Sequence, residues 1–200
     1  ISGDGVTVSS AEVGAIRNTS GSNTLSGAIT LGAATEVQID TGSTLTMSGG
    51  FTGNTFGLTI DGVGDSTISG AIATTTGTLT KQGGGTLTIS ATNTYTGTTT
   101  VSAGTLTLGA AGAISDSSAL VVANNATFNL AGYNETVASV ATSTSSDTAA
   151  SITLGSGSLT NTLTTAGNAS TTFAGVISGT GGSFTKQGTG TLTLSGANTF

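Results

Sequence analysis

The sequence predicts an all-β fold wound as a parallel β-solenoid. Three observations predict it: apolar residues alternate with Thr or Ser in short runs, glycine-rich clusters separate the runs, and the chain repeats itself. Along the chain the alternating runs are Val37-Gln38-Ile39, Thr44-Leu45-Thr46-Met47, Leu58-Thr59-Ile60 and Thr86-Leu87-Thr88-Ile89. They continue as Thr105-Leu106-Thr107-Leu108, Thr127-Phe128-Asn129-Leu130, Ser151-Ile152-Thr153-Leu154 and Thr191-Leu192-Thr193-Leu194. A period of two turns one set of side chains inward and the other to water, and Thr suits both strand and water. Between the runs, Ser48-Gly49-Gly50, Gln82-Gly83-Gly84-Gly85 and Gly179-Thr180-Gly181-Gly182 supply the positive φ that tight turns need. No window shows an apolar period of 3.6, and the abundant Thr and Gly disfavour helix interiors.

The repeat is 105 residues long. Thr67-Ile68-Ser69-Gly70-Ala71-Ile72 returns as Thr172-Phe173-Ala174-Gly175-Val176-Ile177, and Leu79 to Ser90 aligns without a gap on Phe184 to Ser195. Asn93-Thr94-Tyr95 then aligns on Asn198-Thr199-Phe200, so of the first copy, about residues 44–105, the part 44–95 corresponds to 149–200. A shorter rhythm lies beneath it. Strand centres fall at Leu45, Ile68, Leu87, Leu106, Phe128, Ile152, Phe173 and Leu192, and a second set at Leu58, Leu79, Val101, Leu120, Val137, Leu163 and Phe184. The first set is spaced by 19 to 24 residues, which predicts coils of that length, two or three strands each, with five coils to the long period. At about 4.8 Å per coil, eight or nine coils make a rod about 40 Å long. Each coil has too few apolar groups to offset its own ordering entropy, so stability must come from contacts between neighbours. Residues 1–200 are expected to form one continuous solenoid, a segment of a longer array, since Ile1 opens no signal sequence and the second copy stops inside the repeat.

Composition excludes much chemistry. With no His, Cys, Trp or Pro, the chain builds no Ser-His-Asp triad, thiolate nucleophile, N/S zinc site or disulfide. Net charge is −6 with only Arg17, Lys81 and Lys186 positive, the wrong sign for displacing counterions from phosphates, so no nucleic acid partner is expected.

Gly77-Thr78-Leu79-Thr80-Lys81-Gln82-Gly83-Gly84-Gly85-Thr86-Leu87-Thr88-Ile89, followed by Asn93-Thr94-Tyr95-Thr96-Gly97 and Val101-Ser102-Ala103-Gly104-Thr105-Leu106, resembles the autotransporter-associated β-strand repeat, also called the passenger-associated transport repeat. The copy from Gly182 to Phe200 is similar to it as well, and Phe128 to Val137 is similar to another segment of such passengers. The resemblance implies a right-handed parallel β-helix on the surface of a Gram-negative bacterium, tethered to the outer membrane through a C-terminal β-barrel translocator of the parent chain. A repeat of this kind names a scaffold and carries no site of its own.

Asp61-Gly62-Val63-Gly64-Asp65 pairs two carboxylates around glycines, as a calcium loop would, but its counterpart at 166–170 has no acid, which favours a turn. Lys81 and Lys186 read as corner residues reaching water, over a catalytic Lys-Ser pair. Asn93, Asn198, Asn124 and Asn125 read as turn residues bonding nearby backbone. Tyr95, Phe128, Phe173, Phe184 and Phe200 read as core aromatics, with Tyr133 partly exposed. No catalytic, cofactor-binding or metal-ligating residue is predicted, and no enzyme. The expected function is a structural and adhesive stalk that binds host or bacterial surface molecules or another copy of itself. A Thr-rich ice-binding solenoid is the alternative, against which irregular coil spacing counts, and a carbohydrate-active β-helix enzyme ranks last because acids and bases are dispersed.

Overall fold

Period-two runs interrupted by glycine-rich corners leave each strand one apolar face to bury, and the only surface available to cover it is the neighbouring turn of the same chain. A computed structural model describes residues 14–155 and 159–200, and it is wound in just this way. The remaining positions of the predicted continuous solenoid, 1–13 and 156–158, lie outside the described residues. Among those described there are strands, turns and bends but no helix.

Each full coil has three faces. The first coil is β1 (Ile16–Asn18), β2 (Ser22–Leu25) and β3 (Ile29–Thr30), and the second β4 (Thr35–Ile39), β5 (Thr44–Met47) and β6 (Phe51–Thr52). The third is β7 (Leu58–Gly62), β8 (Asp65–Ile68) and β9 (Ile72–Ala73). The next two keep strands on two faces only: β10 (Leu79–Lys81) with β11 (Thr86–Ile89), then β12 (Thr99–Val101) with β13 (Thr105–Leu108). Three faces return in β14 (Ala119–Val122), β15 (Thr127–Asn129) and β16 (Glu135–Val137), then β17 (Ser139–Thr142), β18 (Ser151–Thr153) and β19 (Thr162–Thr165). The eighth coil is β20 (Thr171–Phe173), β21 (Val176–Ser178) and β22 (Ser183–Lys186), and β23 (Leu192–Leu194) begins a ninth.

Every strand pairing is parallel. The first face is the seven-stranded sheet β1-β4-β7-β10-β12-β14-β17, which β20 and β23 carry on, and the second is the eight-stranded sheet β2-β5-β8-β11-β13-β15-β18-β21. The third face is split into β3-β6-β9 and β16-β19-β22. Inward columns follow from register. On the second face Leu45, Ser66, Leu87, Leu106, Phe128, Ile152 and Ile177 stack in turn, all shielded from solvent. Burying a large aliphatic side chain stabilises by roughly 1.5–3 kcal/mol, so these columns hold the coils together. Outward on the same face, Thr24, Thr46, Thr67, Thr88 and Thr107 stack as a ladder that continues through Asn129, Thr153 and Ser178.

Three expectations need correction. Phe173 and Leu192 do not continue the column of Ile152, whose next partner is Ile177. They lie instead on the first face, in β20 and β23. In the same way Leu120 is followed on its own face by Val140, whereas Val137, Leu163 and Phe184 sit on the third face. The 105-residue period therefore spans four coils and two faces, not five coils. Strand starts on the first face advance by 19 to 23 residues as far as Ser139, and then by 32 to Thr171. Loops on both sides of β18 take up that extra chain, and the repeat slips by one face.

Candidate functional site

The least ordinary chemistry lies inside the rod, where the third face loses its strands. Asn93 is buried, and its Oδ1 accepts the amide of Ile72 one coil below at 2.6 Å. Its Nδ2 donates to the carbonyl of Ala113 one coil above. Thr94 N–H still donates to Ile72 O at 3.1 Å, so the side chain stands where a backbone carbonyl would complete the ladder. Glu135 extends the bracket. Its Oε2 accepts the amides of Ala113 and Ile114 at 2.9 and 3.1 Å, and its Oε1 accepts that of Thr136 at 3.0 Å. These interactions satisfy buried amides that have no strand partner. Burial pushes the Glu135 carboxyl up to about 7 against the downward pull of these three donors, and Asp116 adds a smaller upward push.

A hydroxyl chain runs beside the bracket. Tyr95 Oη and Thr99 Oγ1 are 2.7 Å apart, Thr99 Oγ1 and Ser118 Oγ 2.9 Å, and Ser118 Oγ donates to Gly97 O at 2.7 Å. Tyr95 is fully buried, and desolvation raises its phenol above the ordinary value. Above these buried groups the surface dips between the fourth and fifth coils, in a depression lined by Thr92, Thr94, Gly112, Ile114 and Asp116.

Lys81 does not reach water. It is 2 % exposed, points inward between Ile60 and Val101, and its Nζ turns back to donate to Gln82 O and, at 2.7 Å, to Gly83 O. Desolvation lowers its pKa to about 8, and nearby Asp61 and Asp65 act in the opposite direction. The reason is the strand register: alternation from Leu79 holds to the last residue, and the corner carbonyls meet the ammonium before solvent does. Lys186 makes the same bonds to Gln187 O and Gly188 O but is only half-buried.

The two acids of the 61–65 loop behave as turn residues. Asp61 Oδ1 accepts Gly62 N–H at 2.6 Å, and Asp65 Oδ1 accepts Thr86 N–H at 2.8 Å. Arg17 makes a two-pronged contact with Asp40 on the exposed surface, the closest approach being 2.8 Å. Among the described residues no three acidic side chains gather at one point. Asn125 is left-handed, φ 61°, as a turn asparagine should be, and Asn124 Oδ1 accepts Ala149 N–H at 3.0 Å. Asn93 and Asn198 bond backbone as expected, but on adjacent coils and not in their own turns. Tyr95, Phe128 and Phe173 are core residues and Tyr133 is partly exposed. Phe200 departs from expectation: it is 46 % exposed and leans on Phe184, ring centroids 6.4 Å apart, at the end of the stack. Sequence reasoning missed Glu135 altogether, and the only signal was an acid at an inward position of a strand.

Fold and polar brackets together define a repeat-built parallel β-solenoid. The family model Passenger-associated-transport-repeat matches residues 79–108 and 184–200, one stretch within or beside each of the two copies seen in the sequence. No curated protein and no solved structure matches the chain.

Proposed function

We propose that this chain is a section of the stalk of an autotransporter passenger, displayed outside a Gram-negative cell and serving as a scaffold with adhesive faces. The observation that carries the reading is the coincidence of the family matches with the coil: residues 79–108 supply strands β10 to β13, and residues 184–200 supply β22 and β23. The matched stretches thus lie in the wall of the rod, supplying strands of its first, second and third faces. A stalk needs length and stiffness more than a pocket, and stacked parallel coils supply both. Adhesion by such an object is multivalent, with many weak contacts along one face. A C-terminal outer-membrane β-barrel translocator in the parent chain is the partner this reading requires.

The test uses the parent protein in its own host. Protease added to intact cells is expected to remove the epitope of this region, and cells lacking the gene are expected to adhere or clump less. An epitope protected until the cells are lysed would overturn surface display, and undiminished adhesion would overturn the adhesive role.

A further inference from the structure

We infer that the second face of the solenoid is an ice-binding surface, its ligand being the ordered water of a growing ice crystal. The inference is independent of the stalk reading. Two outward columns run the length of this face. One is Ser22, Thr44, Asp65, Thr86, Thr105, Thr127, Ser151 and Val176, and the other is the Thr24 to Ser178 ladder. Coil length varies, since strand starts on this face advance by 19 to 25 residues, yet the register holds across all eight strands because the corners absorb the difference. Irregular spacing in sequence therefore leaves a regular grid in space.

The grid has the geometry of a lattice. General strand geometry sets outward positions about 6.6 Å apart along a strand and about 4.8 Å apart from strand to strand, a two-dimensional repeat of the same order as the oxygen spacings of an ice surface. Three of the eight rungs, Thr44 with Thr46, Thr86 with Thr88 and Thr105 with Thr107, carry Thr in both columns, where stiffness at χ1 limits the orientations of hydroxyl and methyl; Asp65, Asn129 and Val176 interrupt the hydroxyls elsewhere. Electrostatics agree with a neutral ligand: Asp65 is the single charge in the two columns, and it is tied to Thr86 N–H. Ser48, Ser69 and Ser90 add a third hydroxyl on three of the eight rungs. The other faces lack these properties. Outward positions of the first face include the charged Arg17 and Asp61, and the Thr59-Thr80-Thr100 ladder there is interrupted by Val121 and Ala141 before Thr172 and Thr193, while the third face is broken between β9 and β16.

Two double variants of the whole chain separate the faces: Thr88→Tyr with Thr107→Tyr on the second, and Thr80→Tyr with Thr100→Tyr on the first. The probe is ice alone, read as thermal hysteresis and as uptake of labelled protein into a slowly growing ice hemisphere. The native chain and the first-face variant are expected to enter the ice, while the second-face variant is left in the liquid like an inert control protein. Exclusion of the native chain, or uptake undiminished in the second-face variant, overturns the proposal. So does a native chain that self-associates through this face, seen as dimers lost in the second-face variant, without entering ice. If the double variant does not fold by circular dichroism, Thr107→Lys makes the same contrast with a single exposed charge.

Discussion

The amide of Ile72 donates to the side chain of Asn93, 21 residues on, and the amide of Ile177 donates in the same manner to Asn198, also 21 residues on. The two pairs are copies 105 residues apart, but the first lies on the third face of the solenoid and the second on the second face. Asp65 and Ser170, equivalent in the repeat, likewise each accept an amide from the next coil, Thr86 and Thr191. The repeat carries its brackets with it wherever it lands. What it encodes is the stacking of one turn on the next, and this is alike on every face.

Removal of the buried bracket should be costly. Asn93→Ala leaves the Ile72 amide and the Ala113 carbonyl without partners, and a loss of about 2–4 kcal/mol is expected. Asn198→Ala, which removes a single part-buried bond from the Ile177 amide, should cost less than half as much. Urea unfolding of both variants measures the difference.

Glu135 makes stability fall as pH rises across the acid-to-neutral range. Its carboxyl titrates near 7 in the folded chain and near 4.5 when unfolded, so folding takes up a proton between these values. The contribution is full below pH 4.5 and lost as pH passes 7. A melting temperature higher at pH 5 than at pH 7.5 is expected, with the difference reduced in Glu135→Gln.

Lys81 has the opposite slope. Folding lowers its pKa from 10.5 to about 8, so the folded state releases a proton between those values and stability rises with pH through that window. Denaturant midpoints at pH 8 and pH 10 should show this rise, and Lys81→Met should remove it.

The glycines of the corner after Lys81 should differ sharply. Gly83 has φ +63°, and an added Cβ would lie 2.2 Å from Gly62 O, so Gly83→Ala should destabilise by more than about 1 kcal/mol. Gly84 meets only Val63 Cγ1 at 3.7 Å, and the second copy already has Thr189 there, so Gly84→Thr should stay within about 0.5 kcal/mol of the native chain. Thermal melts of the two variants decide it.

The strands were legible because alternation is a local property: Thr86 to Ile89 and Thr105 to Leu108 fall where period two puts them, with Leu87 and Leu106 inward. The face on which a strand lies was not. Phe173 has the same sequence neighbourhood as Ile68 and yet sits on a different sheet, because assignment to a face depends on how much chain every earlier corner has consumed. The buried brackets were half legible. Asn93 and Asn198 could be picked out as backbone binders, but their partners come from adjacent coils, which spacing alone does not identify. Lys81 was misplaced because a charged residue at an inward position reads as the end of a strand, and Glu135 was passed over; only the corner carbonyls around the one and the orphaned amides around the other explain why each remains inside.

Sequence by itself determined that this protein is all-β, built of short strands that stack in parallel and repeat along the chain, because inward-outward alternation and turn chemistry are set by neighbours in the chain. Tertiary structure alone decided that there are three faces, that the repeat slips by one of them, and that the second face keeps one register across eight strands. These depend on how corners of unequal length sum along the winding, and on register, which backbone pairing between coils enforces whatever the number of residues between them.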